Sequence, residues 1–273
     1  MQTVLTIAGF DPSSGAGVTA DLMVFAAHGL FGTSCITSLT VQSTRGVLSS
    51  HPVSSEVLRA TLDCLVLDLP PSGIKIGMLA TAGNVEAVAD FLEIFRAQSP
   101  NVPVVLDPVL RSSSGRELLN PAGLDLLRAR LLPQVDWVTP NTAELAVLTG
   151  LPVETHADLV TAGQTLQRSV RGGESLIVLA KGGHLDPPDD LLIAPGSDPV
   201  WLPGEHIVST STHGTGCAFA SSLLSRLVLG DQPHAAALAA KAYVAEAIRA
   251  AIPRGSGNGP LNHLWNLNAE RTL

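Results

Sequence analysis

Residues 211 to 224, STHGTGCAFASSLL, place two glycines and then a cysteine at the start of an apolar segment. The first backbone N–H groups of a helix have no partner within the helix, and with the helix dipole they form a site for an anion such as phosphate. Gly214 and Gly216 would let the backbone approach that ligand closely, whereas a tight turn with an ordinary helix cap accounts for them equally well. On this pattern alone, both alternatives are open.

Cys217 is predicted to lie in the first turn of the same helix, where positive potential lowers a thiol pKa. A thiolate there could accept the proton of a substrate hydroxyl as its oxygen attacks phosphorus, while adjacent amides hold the developing charge. A small buried apolar role is the usual alternative for an isolated cysteine, and the neighbouring glycines favour chemistry.

Acidic residues follow two further apolar segments. Asp107 ends VVLD, and Asn141 and Glu144 lie one helical turn apart in TPNTAEL. Two acids at neighbouring strand ends would suit a hydrated Mg²⁺, which prefers oxygen ligands. Asn141 and Glu144 also match a capping box, and without other evidence the residues favour capping.

Two lysines and one glycine-rich loop are equally ambiguous in isolation. Lys181 ends an apolar segment and could reach phosphate oxygens, as could Lys241 in an alanine-rich helix, although solvated lysines are the usual case. In the loop over 7 to 22, Asp11 and Asp21 could orient a polar ligand or serve in ordinary turns. The chain contains no G-x-x-x-x-G-K-[ST], G-x-G-x-x-G, G-x-S-x-G or H-E-x-x-H pattern.

The elements that must position these residues alternate along the chain. Continuous apolar segments predict buried strands over 3 to 9, 34 to 42, 73 to 79, 102 to 108, 136 to 140 and 175 to 183. Helical spacing covers 17 to 30, 83 to 98, 121 to 132, 155 to 170, 217 to 230 and 233 to 252. This order predicts an α/β fold with a mostly parallel sheet and helices on both faces, with ligands beyond the carboxyl ends of the strands. Turn-rich residues 187 to 210 predict an antiparallel insertion or edge.

Composition sets the remaining bounds. The 273 residues are expected to form a single domain over 1 to 273, and the net charge of −8 without a basic stripe argues against nucleic acid. No apolar stretch is long enough to cross a membrane, and the N-terminus lacks a basic region before its apolar residues. Three widely spaced cysteines, Cys35, Cys64 and Cys217, indicate reduced thiols in a cytoplasmic protein.

Taken together and in this order, the motifs resemble the ribokinase-like superfamily, and more closely its hydroxymethylpyrimidine/phosphomethylpyrimidine kinases of thiamine biosynthesis. The resemblance covers nearly the whole chain. It rests on TIAGFDPSSGAGVTADL, TSLTVQSTRGV, KIGML, DPVLRSSSG, TPNTAEL, KGGH, THGTGC and GNGPLNH.

The resemblance implies a three-layer α/β/α sandwich and transfer of the ATP γ-phosphate to 4-amino-5-hydroxymethyl-2-methylpyrimidine and then to its monophosphate. It also implies Mg²⁺ as cofactor and a homodimer. Cys217 would be the base, with Gly214 and Gly216 around the migrating phosphoryl group. The pyrimidine pocket would comprise Gly9, Asp21, Gln42, Met78 and Val109. Asp107 and Glu144 would hold Mg²⁺ through water, and the nucleotide would contact Asn141, Lys181, Thr212, Thr215 and Lys241.

Three positions depart from the family pattern and limit how far the family's residue roles can be carried over to this chain. They are Phe10 after AG, the missing lysine in RSSSG (111 to 115), and Ser256 in GSGNGPLNH. A pyridoxal kinase of the same fold is the nearest alternative, and Gln42 and Met78 favour the pyrimidine over it. A non-catalytic pyrimidine-binding regulatory protein is the other alternative. It would be expected to lack the acids or the base, whereas Asp107, Glu144 and Cys217 are all present.

Overall fold

The computed structural model describes residues 1–112, 115–170 and 176–269. The strands are β1 (Thr3–Phe10), β2 (Phe31–Ser43), β3 (Gly46–Pro52), β4 (Ile74–Ile76), β5 (Val104–Leu106), β6 (Trp137–Val138), β7 (Ile177–Ala180), β8 (Asp190–Ile193) and β9 (Val200–Leu202). The helices are α1 (Gly17–Ala27), α2 (Ser55–Asp68), α3 (Ala82–Gln98), α4 (Pro121–Leu126), α5 (Thr142–Thr149), α6 (His156–Ser169), α7 (Thr215–Val228), α8 (Pro233–Arg249) and α9 (Trp265–Ala269). Ser113 and Ser114 of the RSSSG motif, and Ser175 at the start of one predicted strand, lie outside the described residues.

All the strands belong to one sheet in the order β3-β2-β1-β4-β5-β6-β7-β8-β9. The six strands from β2 to β7 in this order are parallel. β3 pairs antiparallel with β2 at one edge, and β8 and β9 pair antiparallel at the other. The mostly parallel sheet and the antiparallel addition within 187 to 210 are therefore confirmed.

Side chains that alternate along the strands fill two separate cores, which confirms the three layers. Leu5 and Ile7 of β1 pack with helices α2 to α6 on one face. Val4, the residue before Leu5, lies on the opposite side of the pleat and packs with α1, α7 and α8 on the other face. Within the described residues, no helix is both long and apolar enough to span a membrane.

Three of the described elements were not predicted from the sequence: strand β3 and the helices α2 and α9. β3 is an edge strand with one neighbour, and its sequence GVLSSHP carries no continuous apolar segment because most of its side chains stay accessible. Helix α2 buries Leu58 and Leu62 and begins at the cap Ser54, which accepts a hydrogen bond from Val57 N. A narrow buried stripe of this kind is a weak signal in sequence.

A fully buried ion pair lies between the sheet and α1. Lys75 Nζ, on β4, contacts Asp21 Oδ2, on α1, at 2.9 Å, and neither side chain is exposed. Asp21 also accepts hydrogen bonds from Thr6 Oγ1 at 2.6 Å and Ser221 Oγ at 2.7 Å. The carboxylate of Asp21 therefore serves three partners inside the protein. The Asp21 side chain has no exposed surface, and its predicted contact with the pyrimidine stays a prediction.

We predict that Lys75→Met destabilises the protein by about 3–5 kcal/mol, because it leaves the Asp21 carboxylate buried without its counter-ion. Adding Asp21→Asn removes that charge, so the double variant is expected to be more stable than Lys75→Met alone. Urea unfolding followed by circular dichroism measures both free energies. A double variant as unstable as the sum of its single variants would contradict the pairing.

Candidate functional site

The carboxyl ends of five parallel strands meet at one edge of the sheet. The register aligns Ile7 with Ile76, Ile76 with Leu106, Leu106 with Val138 and Val138 with Val178, so the residues that follow these strands emerge side by side. A cleft of about 1470 Å³ opens there. Pockets for one drug-sized ligand usually measure roughly 300–1,000 Å³, so this cleft has room for two ligands.

The cleft brings together nearly all of the site residues predicted from the sequence. Asp21 is the exception and lies beneath the cleft. Those that line it are Gly9, Gln42, Met78, Val109, Asp107, Asn141, Glu144, Lys181, Thr212, Gly214, Thr215, Gly216, Cys217 and Lys241.

The N-terminus of α7 faces this cleft through a glycine turn. Gly214 is the N-cap residue with φ 89°, a left-handed conformation that favours glycine. It has no side chain to cap the first N–H groups of α7. Thr215 N donates to the Thr212 carbonyl at 3.4 Å, and the amides of Gly216 and Cys217 are left available to a ligand. A Cβ on Gly214 would lie 1.8 Å from the carbonyl oxygen of Gly15, so the turn is also pressed against the loop after β1.

An ion pair stands directly beside this turn. Lys181 Nζ contacts Asp107 Oδ1 at 3.1 Å, and Asp107 is 2% exposed. A Cβ on Gly216 would lie 3.2 Å from Lys181 Nζ and 3.6 Å from Asp107 Oδ2. Burial alone would lower the pKa of Lys181, but Asp107 and Glu144 outweigh it and raise that pKa. A permanent cation and an acid therefore lie within reach of any anion bound at the turn.

Glu144 caps α5 and also faces the cleft. Its Oε2 accepts from Asn141 N at 2.8 Å, and its own N–H donates to Asn141 Oδ1 at 2.8 Å. The capping alternative is thus realised, and it does not exclude a role in the cleft. Burial raises the pKa of Glu144 to about 7, assisted by Asp107 and opposed by Lys181. A cation near Glu144 would favour its carboxylate form.

Cys217 lies in the first turn of α7, but its thiol is not acidified. Burial raises the pKa of Cys217 to about 11; Lys75 and the Gly17 N–H oppose this shift, while Asp21 and Asp107 add to it. The expectation of a lowered thiol pKa is therefore wrong for the unliganded chain. Desolvation and two carboxylates outweigh the positive end of the helix.

Two residues assigned to the nucleotide are already engaged by the protein. Lys241 Nζ contacts Asp190 Oδ2 at 2.7 Å and the Pro188 carbonyl at 3.3 Å. Thr212 Oγ1 donates to Asn258 Oδ1 at 3.2 Å. Both residues line the cleft, so a ligand that used them would share or replace these contacts.

Sequence reasoning assigned no role to His213, inside THGTGC, or to His263, inside GNGPLNH. His213 Nε2 contacts Asp11 Oδ2 at 2.8 Å and the side-chain amide of Gln42 at 2.9 Å. His263 Nε2 donates to the Gly15 carbonyl at 3.1 Å. His213 thereby holds the loop after β1 against the α7 turn, and His263 holds the same loop against the segment that follows α8. In the sequence, only the family motifs that contain these two histidines pointed to them, because the residues that they contact are distant along the chain.

Comparison with known proteins agrees with this geometry. The family model described as phosphomethylpyrimidine kinase matches residues 11–262. A hydroxymethylpyrimidine/phosphomethylpyrimidine kinase of Haemophilus influenzae is 38% identical over 269 residues, covering 96% of this chain and 97% of that protein. The crystal structure of a phosphomethylpyrimidine kinase from Clostridium difficile 630 superimposes with a TM-score of 0.78 at 31% identity, over 91% of this chain and 100% of that one. The Staphylococcus aureus pyridoxal kinase in complex with AMP-PCP and pyridoxal gives a TM-score of 0.84 at 29% identity, over 97% of this chain and 94% of that one. Since the matched residues run from the loop after β1 to the C-terminal part of the cleft, this chain belongs to the phosphomethylpyrimidine kinase family.

Proposed function

We propose that this protein is an ATP-dependent kinase that phosphorylates 4-amino-5-hydroxymethyl-2-methylpyrimidine and then its monophosphate, in thiamine biosynthesis. One observation carries the proposal: the open α7 turn, the Lys181–Asp107 pair and the pocket residues Gln42 and Met78 all face one cleft. Phosphoryl transfer depends mainly on positioning and charge stabilisation, and this arrangement supplies both.

The proposed role of each residue follows from its charge and its hydrogen-bonding groups. The amides around Gly214 and Gly216 hold the migrating phosphoryl group, and Lys181 neutralises phosphate oxygens beside them. Asn141, Thr212, Thr215 and Lys241 are proposed to contact the nucleotide; for Lys241 this requires the ammonium to be shared with Asp190. In a loose transition state the acceptor hydroxyl loses its proton late, and Cys217 is the residue placed to receive it.

Mg²⁺ is proposed as the cofactor, held through water by Asp107 and Glu144. Among the described residues there is no group of three or more His, Cys, Asp or Glu side chains arranged to hold a metal. Two buried carboxylates fit Mg²⁺ nonetheless, because this ion keeps several waters and takes phosphate oxygens as further ligands. When bound, it would neutralise phosphate charge. Because burial raises the pKa of Glu144 to about 7, a Mg²⁺ held there would favour the carboxylate, and the displaced proton would go to solvent.

The acceptor pocket is built from Gly9, Gln42, Met78 and Val109. A Cβ on Gly9 would lie 3.1 Å from Met78 Sδ, so the bare backbone at position 9 lets the thioether pack over the end of β1. Met78 offers a soft apolar surface to an aromatic ring, and Gln42 offers hydrogen bonds to its edge. A pyridoxal kinase remains the second candidate, because pyridoxal kinases are among the structural neighbours.

A coupled assay of ADP release across the pyrimidine alcohol, its monophosphate and pyridoxal tests the proposal. The two pyrimidines are expected to give the higher kcat/KM. Faster turnover of pyridoxal would favour the second candidate, and no ADP with any acceptor would favour a non-catalytic pyrimidine-binding regulator.

Replacing the thiol tests its role as proton acceptor. Cys217→Ala is expected to keep the fold and lower kcat by about 10²-fold, the usual scale for a positioned base. Because a thiol with a pKa of about 11 is almost fully protonated at pH 7, kcat/KM of the native enzyme is expected to rise about tenfold per pH unit between roughly pH 7.5 and 9.5.

The control is Cys64→Ala, which removes an exposed cysteine on α2. It should leave both kcat and the pH profile unchanged. Near-native turnover in Cys217→Ala, or a rising pH profile that survives that substitution, would show that another group accepts the proton.

We further propose a homodimer, formed by the β2–β3 hairpin. This edge of the sheet exposes Leu39, Val41 and Leu48, at 50%, 48% and 77%. Leu48→Lys with Val41→Glu is expected to yield monomers in sedimentation velocity, because both charges would be buried at the contact. Leu67→Lys, on the outer side of α2, is the control. A native protein that sediments as a monomer at micromolar concentration would contradict the dimer.

The remaining expectations are proposals of the same kind. One continuous sheet from β3 to β9 supports a single domain over 1–273. Free thiols at Cys35, Cys64 and Cys217 support a cytoplasmic location. The net charge of −8 supports the absence of a nucleic-acid partner.

A further inference from the structure

We propose that His213 is a positioning residue that fixes the amide orientation of Gln42, and thereby sets which edge of a pyrimidine the pocket accepts. The inference rests on the proposed function and adds a residue to its specificity. It follows from the hydrogen-bond capacities of three side chains in contact, Asp11, His213 and Gln42.

The first step is the charge of Asp11. This side chain is 3% exposed and accepts five hydrogen bonds. Oδ1 accepts from Ser13 N and Ser13 Oγ, and Oδ2 from Gly15 N, Ala16 N and His213 Nε2. Burial alone would raise the pKa of Asp11, but the bonds from His213 and Ser13 outweigh it and lower that pKa. Asp11 is therefore a carboxylate, and a carboxylate only accepts hydrogen bonds.

The second step is the proton on His213. Its Nε2 lies 2.8 Å from Asp11 Oδ2. Two lone pairs at that distance would repel, so Nε2 must carry the hydrogen in either charge state of the ring. The ring lies directly against the loop after β1, because a Cβ on Gly15 would lie 2.2 Å from His213 Cδ2.

The third step is the amide of Gln42, whose Nε2 is placed 2.9 Å from His213 Nε2. An amide oxygen and nitrogen exchange places by a half-turn about the last side-chain bond, so chemistry decides which of them faces the histidine. An N–H facing another N–H forms no bond. Gln42 must therefore turn Oε1 toward His213, in a hydrogen bond that shares the Nε2 hydrogen with Asp11.

This orientation gives the pocket a fixed polarity. Oε1 keeps one lone pair and Nε2 keeps its hydrogens, so Gln42 presents an acceptor beside a donor. An exocyclic amine beside an unprotonated ring nitrogen matches that edge in both bonds. In the 4-oxo counterpart a carbonyl stands beside a ring N–H. Its acceptor would then face the acceptor of Gln42, and its donor would face the donor. Without His213 the amide could turn over and accept either edge.

The test compares kcat/KM for the aminopyrimidine alcohol and its 4-oxo counterpart in the native enzyme, His213→Gln and His213→Leu. Leu removes the donor, whereas the Nε2 of a glutamine can replace that of histidine. The native enzyme is expected to prefer the amino substrate by about 10²-fold, because a mismatched edge leaves polar groups unpaired. His213→Leu should reduce this ratio to about tenfold or less, and the change is expected chiefly in KM. His213→Gln should keep the ratio. An unchanged ratio in His213→Leu would overturn the proposal.

Two further measurements separate this inference from the proposed function. Calorimetric binding of both pyrimidines without ATP should show the native protein's preference for the amino compound, even if no phosphoryl transfer occurs. The same measurement on His213→Leu should show that this preference is reduced. ¹⁵N NMR of the native protein's histidines should show His213 protonated on Nε2. A His213 ring protonated only on Nδ1 would overturn the proposal whatever the variants do.

Discussion

Contact between two stretches of backbone is the constraint on which the cleft depends. The turn that opens α7 lies against the loop that follows β1, so closely that a Cβ at Gly214 would overlap the Gly15 carbonyl. Gly17, at φ 60°, also leaves no room for a Cβ, which would overlap the Gly9 carbonyl. Only glycine fits at such positions, because any side chain would force the two segments apart. This contact places the amides of α7, the sulfur of Cys217 and the pyrimidine-side residues around one space.

Beneath that contact, charge is arranged in pairs. Lys75 and Asp21 are fully buried, and Lys181 and Asp107 lie at the cleft surface. Each lysine offsets a carboxylate that desolvation would otherwise penalise heavily. Cys217 lies among these charges, and the balance leaves its thiol with a raised pKa. A neutral thiol in the free enzyme is protected from oxidation and metal binding, since the thiolate is the reactive form.

The likeness to both pyrimidine and pyridoxal kinases has a structural basis. In the proposed assignment, phosphoryl transfer would use the α7 turn and the strand ends, which would serve any hydroxymethyl acceptor in the same way. Discrimination would then come from the part of the cleft that Gln42, Met78 and Val109 line. The Asp11–His213–Gln42 contacts link the two halves, because His213 immediately precedes the glycine turn.

The sequence by itself determined the layered α/β architecture and the set of residues at the cleft. Continuous apolar strands that alternate with amphipathic helices are typical of a parallel sheet between two helical layers, and the strand ends then share one edge. Strand β3 and helix α2 were not predicted, because each buries only a narrow stripe of side chains. Tertiary structure alone decided that Asp21 pairs with Lys75, that the Cys217 pKa rises, and that Asp11 holds a histidine 202 positions away. The physical reason is that desolvation and charge pairing depend on which side chains meet across the fold, and local sequence carries no record of those distances.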